Sequence, residues 1–175
     1  MMDFRYPIGQ FTHEGEVTLA HRQQWIQDVA DLPKRAREAV EGLNEEQLSL
    51  PYRDGGWMLK QVIHHMADSH MNSVIRFKLA LTEDTPTIRP YFEERWAELS
   101  DSKDMGVEVS LHLLDALHRR WSALLYALTD EDYAKAFYHP ASKETMRLDH
   151  CLGLYAWHGK HHVAQITSLR DRLGI

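Results

Sequence analysis

Apolar residues recur at steps of three and four along four long stretches of the chain, a spacing typical of helices with one buried face. The first stretch begins near Thr18, and Pro33 within it is expected to kink the helix or to restart it. The second covers about residues 57–82, and the fourth covers about residues 147–172 and stops at Gly174. The stripe of the third stretch consists of Leu114, Leu117, Trp121, Leu124 and Leu128.

The connections between these helices indicate how the helices are arranged. No window alternates apolar and polar residues for long enough to predict a strand, so the fold class is all-α. Residues 83–106 connect the second and third helices, whereas antiparallel neighbours usually need only about 2–8 residues. Such a long crossover leaves the second and third helices parallel. The sequence therefore predicts a single domain over residues 1–175, folded as a four-helix bundle.

The composition excludes several classes of protein. A hydrophobic content of 43% beside 26% charged residues is that of an ordinary globular chain. The net charge of −6 opposes binding to a phosphate backbone, so no nucleic-acid partner is expected. The apolar runs are far shorter than the roughly 20 residues that cross a bilayer, so no membrane partner is expected. Residues 1–10 lack the features of a secretory signal, which makes the cytoplasm the expected location.

Histidine stands out in the composition, with twelve copies. His158 and His162 are four residues apart, so on a helix both imidazoles project from one face and can chelate one metal ion. His162 also falls on the apolar stripe of the fourth helix, which must face the bundle core. His161 points away from that stripe, which favours His158 with His162 as the pair. The alternative interpretation is a pair of core histidines that are hydrogen-bonded to their neighbours.

A site with two histidines needs a further ligand, and bundles take such ligands from a facing helix. The second helix offers His64, His65 and His70, of which His65 lies on a polar stripe and is preferred. Asp68 is a candidate general base or a group that supports the site by hydrogen bonds, and its alternative role is that of a surface charge. The histidines without any convincing pairing are His13, His21, His112, His118, His139 and His150.

Two loop arginines and the single cysteine complete the set of candidate residues. Arg53 and Arg89 each lie in a loop flanked by Tyr and Pro and could bind an anionic group of a substrate or a thiol cofactor. The alternative is that these arginines only tie their loops down. Cys151 excludes an intrachain disulfide because it has no partner cysteine. It precedes His158 by seven residues, a rise of about 10.5 Å, which is too far for both to bind one ion.

Six segments of the chain together match a known family in their order. They are Tyr-Pro-Ile-Gly at 6–9, Tyr-Arg-Asp-Gly-Gly-Trp at 52–57, Gln-Val-Ile-His-His-Met-Ala-Asp-Ser-His-Met-Asn at 61–72, Arg-Phe-Lys-Leu-Ala-Leu at 76–81, Ile-Arg-Pro-Tyr at 88–91 and Gly-Leu-Tyr-Ala-Trp-His-Gly-Lys-His-His at 153–162. With them the chain resembles the YfiT-like branch of the DinB superfamily over nearly its whole length. The resemblance implies a bundle in up-down-down-up order, a homodimer, and a zinc or nickel ion on His65, His158 and His162.

The resemblance also implies two candidate reactions on a small-molecule substrate. The family carries the label of metal-dependent hydrolase, and some members are similar to thiol S-transferases that attach bacillithiol to electrophiles. A metal on three imidazoles keeps coordination positions open and can activate either water or a low-molecular-weight thiol. The segment from His158 to His162 lacks the glutamate of zinc proteases, which argues against a protease and slightly favours transfer. The third alternative is a non-catalytic binding module that the metal stabilises.

Overall fold

Eight helices and one small hairpin form the part of the chain that the computed structural model describes, residues 3–175. Met1 and Met2, which belong to the segment considered for a secretory signal, lie outside the described residues. The long helices are α1 (Leu19–Val40), α3 (Leu59–Thr82), α6 (Glu108–Ala127) and α8 (Leu148–Leu173). The short elements are α2 (Glu45–Leu48), α4 (Glu93–Trp96), α5 (Ser100–Lys103), α7 (Asp130–Ala134), β1 (Ala136–His139) and β2 (Glu144–Arg147).

Helix α1 begins as the sequence predicts but does not stop at its proline. Thr18 caps the helix, because its hydroxyl accepts a hydrogen bond from the His21 N–H at 3.2 Å. The helix then continues through Pro33, so the predicted restart at this residue is wrong. Proline leaves the carbonyl four residues earlier, that of Val29, without its helical donor. His118 of α6 replaces this donor, with its Nδ1 only 2.6 Å from the Val29 oxygen.

Helices α3 and α6 run parallel, as the length of their connection predicts. His64 near the start of α3 contacts Ser110 near the start of α6, with 2.7 Å between Nδ1 and Oγ. Phe77 near the end of α3 packs edge-on against Trp121, which lies further along α6, with ring centroids 5.5 Å apart. Contacts that advance in the same order along both helices require parallel axes. The crossover between these helices is not wholly irregular, because it contains the single turns α4 and α5.

Helix α8 runs antiparallel to α3 and parallel to α1. The contacts with α3 are made in reversed chain order, whereas those with α1 advance in the same order. The contacting pairs are Ser69–Tyr155 and Ser73–Cys151 between α3 and α8, and Asp28–Lys160 and Ala39–Arg170 between α1 and α8. The four long helices therefore have up-down-down-up order, which confirms the predicted fold class.

A two-stranded hairpin lies between α7 and α8, although the sequence predicts no strand. Strands β1 and β2 pair antiparallel and have only four residues each, too few for an alternating pattern to be recognised. Phe137 is the buried residue of β1. The backbone of Tyr138 bonds to both Pro86 and Ile88, with its N–H donating at 2.9 Å and its oxygen accepting at 3.0 Å. The hairpin thus anchors the beginning of the crossover against the bundle.

A layer of four buried histidines and one half-buried histidine separates two apolar clusters in the middle of the bundle. One cluster contains Leu59, Ile63, Leu111, Leu114, Ile166 and Leu169, and the other contains Phe77, Trp121, Leu125, Leu148 and Leu152. Between them lie His70 on α3, His118 on α6, and His158 and His162 on α8, with His65 beside them on α3. We call these five residues the histidine layer.

Within the described residues, no helix combines the length and the apolar character that a membrane span requires.

Close packing of α1 against α8 depends on a glycine next to this layer. A Cβ atom at Gly159 would lie 2.7 Å from Cδ2 and 2.9 Å from Cδ1 of the buried Leu32. We expect Gly159→Ala to lower the free energy of unfolding by about 1–3 kcal/mol, because overpacking outweighs the gain in helix propensity. Urea denaturation measures this change.

The matched control for this substitution is Gly106→Ala. A Cβ atom at Gly106 meets no other atom within 4 Å, so we expect a change below about 0.5 kcal/mol. The loss from Gly159→Ala should also be smaller in a Leu32→Ala background, where the clashing atoms are removed. Equal losses in both backgrounds would contradict the proposed clash.

Candidate metal centre

Three imidazole nitrogens converge where α3 faces α8. Nε2 of His158 lies 3.3 Å from Nε2 of His65 and 3.2 Å from Nε2 of His162. All three ligand atoms lie within 4.8 Å of one another. Nitrogens that bind one zinc ion tetrahedrally at about 2.0–2.1 Å are about 3.3–3.4 Å apart. The two short separations therefore fit ligands that share one metal ion.

The hydrogen bonds of His162 show that its Nε2 presents a lone pair to this centre. The side-chain amide of Gln165 donates to the backbone oxygen of Arg5 at 3.0 Å, which identifies its nitrogen. The amide oxygen of Gln165 then accepts from Nδ1 of His162 at 2.8 Å. With the proton on Nδ1, the neutral ring has its lone pair on Nε2. This arrangement fits a metal ligand, and Gln165 is a supporting residue that is not predicted from the sequence.

Burial keeps the three rings in the neutral form that binds metals. Desolvation lowers the pKa of His65 to about 4, with a smaller effect from His161. Desolvation likewise lowers the pKa of His158 and of His162 well below the ordinary value, and the neighbouring histidines add to the shift. All three side chains are therefore neutral at pH 7 and are available as ligands.

The centre lies on the wall of an open cavity of about 610 Å³. All three histidines line this cavity, so a molecule that enters it can reach the converging nitrogens. Trp57 packs against the ring of His65, with centroids 4.7 Å apart, and limits the movement of that ring. The wall also contains two arginines, three glutamates and further aromatic residues, namely Arg5, Arg53, Glu93, Glu94, Glu98, Tyr6, Tyr52 and Trp157.

Of the other predicted site residues, one lines the cavity and two do not. Arg53 lines it, and its guanidinium also ties its own loop by donating to the Asp54 backbone oxygen at 2.8 Å. Arg89 is exposed and lies outside the cavity wall. Asp68 is half-buried and also lies outside the wall, and burial, assisted by Asp101, raises its pKa to about 6. The roles assigned to these three residues stay predictions.

His64 and Cys151 lie apart from the converging nitrogens. Nδ1 of His64 bonds to the Ser110 hydroxyl, and its Nε2 lies 3.1 Å from the Met105 backbone oxygen. Both ring nitrogens of His64 are thus used in holding α3 against the crossover and α6. Cys151 is buried, and burial raises the pKa of its thiol to about 12, which agrees with a packing role.

Two further members of the histidine layer, His70 and His118, continue inward from the centre. Nε2 of His70 lies 3.1 Å from Nδ1 of His158, and Nδ1 of His70 lies 3.0 Å from Nε2 of His118. From the sequence, His70 is a candidate ligand only, and His118 has no convincing pairing. A signal was available, since His118 is four residues after Leu114 and three before Trp121, on the apolar stripe of its helix.

Comparisons with known proteins agree with this architecture. The family model of the DinB superfamily matches residues 28–166. Proteins from Bacillus mycoides strain KBAB4 and Bacillus cereus strain B4264, each named "putative metal-dependent hydrolase", are 58% identical over 173 residues and align over 99% of both chains.

A solved structure extends the likeness to three dimensions. YfiT from Bacillus subtilis, described as "a probable metal-dependent hydrolase with an unusual four-helix bundle topology", is 51% identical and has a TM-score of 0.96, over 98% of both chains. The family match covers most of the sequence, and the bundle topology agrees with it. The chain therefore belongs to the DinB superfamily and, within it, to the branch that resembles YfiT.

Proposed function

We propose that this protein is a metal-dependent hydrolase in which His65, His158 and His162 hold one zinc ion per chain, with nickel as the alternative. The observation that carries the proposal is the convergence of three neutral imidazole nitrogens on the wall of an open cavity. The names of the relatives support it. Zinc is preferred because three protein nitrogens with an open position are typical of catalytic zinc sites. A divalent metal there would act as a Lewis acid toward a water molecule or a thiol.

Carboxylates in the cavity supply the base that the sequence did not reveal. Glu93, Glu94 and Glu98 line the same cavity as the three histidines. Desolvation raises the pKa of Glu93, and the neighbouring Glu94 carboxylate raises it further. A carboxylate with a raised pKa accepts a proton more readily at neutral pH, which suits a general base. We therefore prefer hydrolysis to thiol transfer and Glu93 to Asp68 as the base, because Asp68 lies outside the cavity wall.

The arginines of the cavity indicate the kind of small molecule that it binds. Arg5 and Arg53 both line the cavity, and they also line a second cavity of about 570 Å³ beside it. Two guanidinium groups in the lining of both cavities favour a substrate with a carboxylate or phosphate group. The proposed substrate is therefore a small anionic ester or amide. The homodimer and the cytoplasmic location stay predictions.

Thiol S-transfer is the second candidate function. A volume of about 610 Å³ lies within the range of pockets that enclose drug-sized ligands, which leaves room for a thiol and an electrophile together. Because the protein's own thiol is buried and has a raised pKa, the thiol would have to come from bacillithiol or a similar small molecule.

The metal site is tested with a matched pair of neighbouring histidines on α3. We expect about one zinc or nickel ion per wild-type chain purified without a histidine tag, measured by elemental analysis. Removal of a residue that only hydrogen-bonds to a metal ligand typically lowers metal affinity by roughly 10–100-fold. His65→Ala should lower zinc affinity by more than this, because it removes a ligand itself. His64→Ala, which removes a buried histidine outside the centre, should keep full occupancy. Equal losses in the two variants would contradict the ligand set.

The reaction is tested by assays with and without a thiol. We expect hydrolysis of nitrophenyl esters without thiol, loss of this activity on chelation, and recovery with added zinc. Glu93→Gln should lower kcat by about 10²–10⁴-fold, because it removes the proposed base. Consumption of chlorodinitrobenzene only when a small thiol is present would favour S-transfer instead. A fall in melting temperature on chelation with neither activity would indicate a non-catalytic module.

The anion site is tested with two loop arginines. Arg53→Ala should raise KM for a carboxylated nitrophenyl ester by about 10–100-fold, as expected for a lost charge-assisted hydrogen bond, and should leave KM for nitrophenyl acetate nearly unchanged. Arg89→Ala is the matched control, because Arg89 is exposed and lies outside the cavity wall. An equal effect of Arg53→Ala on the charged and neutral esters would contradict a role in anion binding.

A further inference from the structure

A single path of hydrogen bonds joins all four long helices and ends at the candidate metal centre. It begins at the Val29 carbonyl of α1, passes through His118 of α6 and His70 of α3, and reaches His158 of α8. The three separations along it are 2.6, 3.0 and 3.1 Å. His70 and His118 do not line the cavity, so this path lies behind the centre rather than at its open side.

The Val29 carbonyl can accept the first hydrogen bond of this path because residue 33 is a proline. In a regular helix the N–H of residue 33 would donate to the carbonyl of residue 29. Pro33 has no N–H, and its ring crowds the carbonyl of Val29. That oxygen is thereby left for Nδ1 of His118. The residue that seemed to interrupt α1 thus provides an acceptor for the neighbouring helix.

The acceptor fixes the direction of every hydrogen bond that follows. A carbonyl oxygen can only accept, so Nδ1 of His118 carries a proton and Nε2 of the neutral ring is an acceptor. Nδ1 of His70 must then donate to His118, which leaves Nε2 of His70 to accept from Nδ1 of His158. His158 is thereby held with its lone pair on Nε2, the atom that faces His65 and His162.

We propose that Pro33, His118 and His70 are positioning residues that hold His158 in the tautomer and ring orientation required for binding the metal through Nε2. The inference rests on the proposed function only in taking His158 as a metal ligand. Outer hydrogen bonds of this kind commonly orient a metal-binding histidine, but usually through one partner and not through three helices.

Two other interpretations of the path agree less well with its geometry. A proton-transfer route needs a group at each end that can take up or release a proton, and this path begins at a backbone carbonyl, which does neither. Simple packing needs only that each buried nitrogen finds some partner. It does not require both His70 and His118 to donate from Nδ1, which is the specific outcome that the Val29 carbonyl imposes.

The tautomers can be measured directly by long-range ¹H–¹⁵N correlation spectra of the zinc-loaded full-length protein. We expect protonated Nδ1 and unprotonated Nε2 in both His70 and His118, neither of which is a proposed ligand, and zinc on Nε2 of His158. A proton on Nε2 of His70 or His118, or zinc on Nδ1 of His158, would overturn the proposal. This measurement needs no variant and no activity.

Zinc affinity of variants, measured by competition with a chelator, tests the consequence. His118→Phe should weaken zinc binding by about 10–100-fold, and His118→Gln, which keeps an acceptor near Nδ1 of His70, should recover part of the loss. His64→Phe is the matched control, since it removes a similarly buried and doubly bonded imidazole outside the path. Equal losses in His118→Phe and His64→Phe would reduce the role of His118 to packing.

Pro33→Ala separates positioning from stability most clearly. Restoring the N–H at residue 33 offers the Val29 carbonyl a competing donor, so we expect weaker zinc binding although the helix itself becomes more favourable. A variant with unchanged zinc affinity would overturn the role of Pro33. A wild-type protein that binds no zinc would overturn the proposed function itself. Wild-type zinc binding together with unaffected variants would overturn only the positioning path.

Discussion

Burying an imidazole is unfavourable unless each of its ring nitrogens finds a partner, and this constraint organises the middle of the bundle. The histidine layer lies between two apolar clusters, and its inner rings, His70 and His118, lie away from the cavity wall and find their partners within the protein. Helices α3, α6 and α8 supply the rings, and α1 supplies the carbonyl at which the inward bonds end. The relative positions of the four helices are therefore restricted by hydrogen-bond geometry as well as by apolar packing.

Hydrogen-bond partners for the ring nitrogens of the histidine layer are distributed unevenly between its two sides. This asymmetry makes the side that faces the cavity a candidate metal site. On the inner side, the nitrogens of His70, His118 and His158 pair with one another or with a backbone oxygen. On the outer side, Nε2 atoms of three rings face each other at the cavity wall. The lone pairs on Nε2 of His158 and His162, whose atoms are 3.2 Å apart, repel each other unless a cation lies between them. The ring nitrogens that still need a partner therefore lie at the edge of the layer that lines the cavity, which a small molecule can reach.

The sequence revealed those parts of this arrangement that depend on a single helix or on chain length. The spacing of His158 and His162 and the apolar stripe on which His162 lies are properties of α8 alone, and the length of the crossover indicated the parallel middle pair. The parts that could not be predicted depend on which helix faces contact each other in the folded bundle. Periodicity places His118 on a buried stripe but does not show that it meets His70 and Val29. The glutamates of the cavity come from the crossover, whose path follows from anchoring by the hairpin rather than from any local pattern.

Two residues that break local rules in the long helices, Pro33 and Gly159, lie at one level of the bundle. Pro33 interrupts the hydrogen bonding of α1, and Gly159 reduces the helix propensity of α8 where Leu32 approaches it. Both adjoin the histidine layer, since Val29 bonds to His118 and Gly159 follows His158 directly. The Val29 carbonyl receives a donor from α6 in place of the N–H that Pro33 lacks. The missing side chain of Gly159 allows a close contact between α1 and α8. Such departures are expected where function, rather than stability, selects the residue. Their position around His158 connects the unusual features of α1 and α8 to the same candidate metal centre.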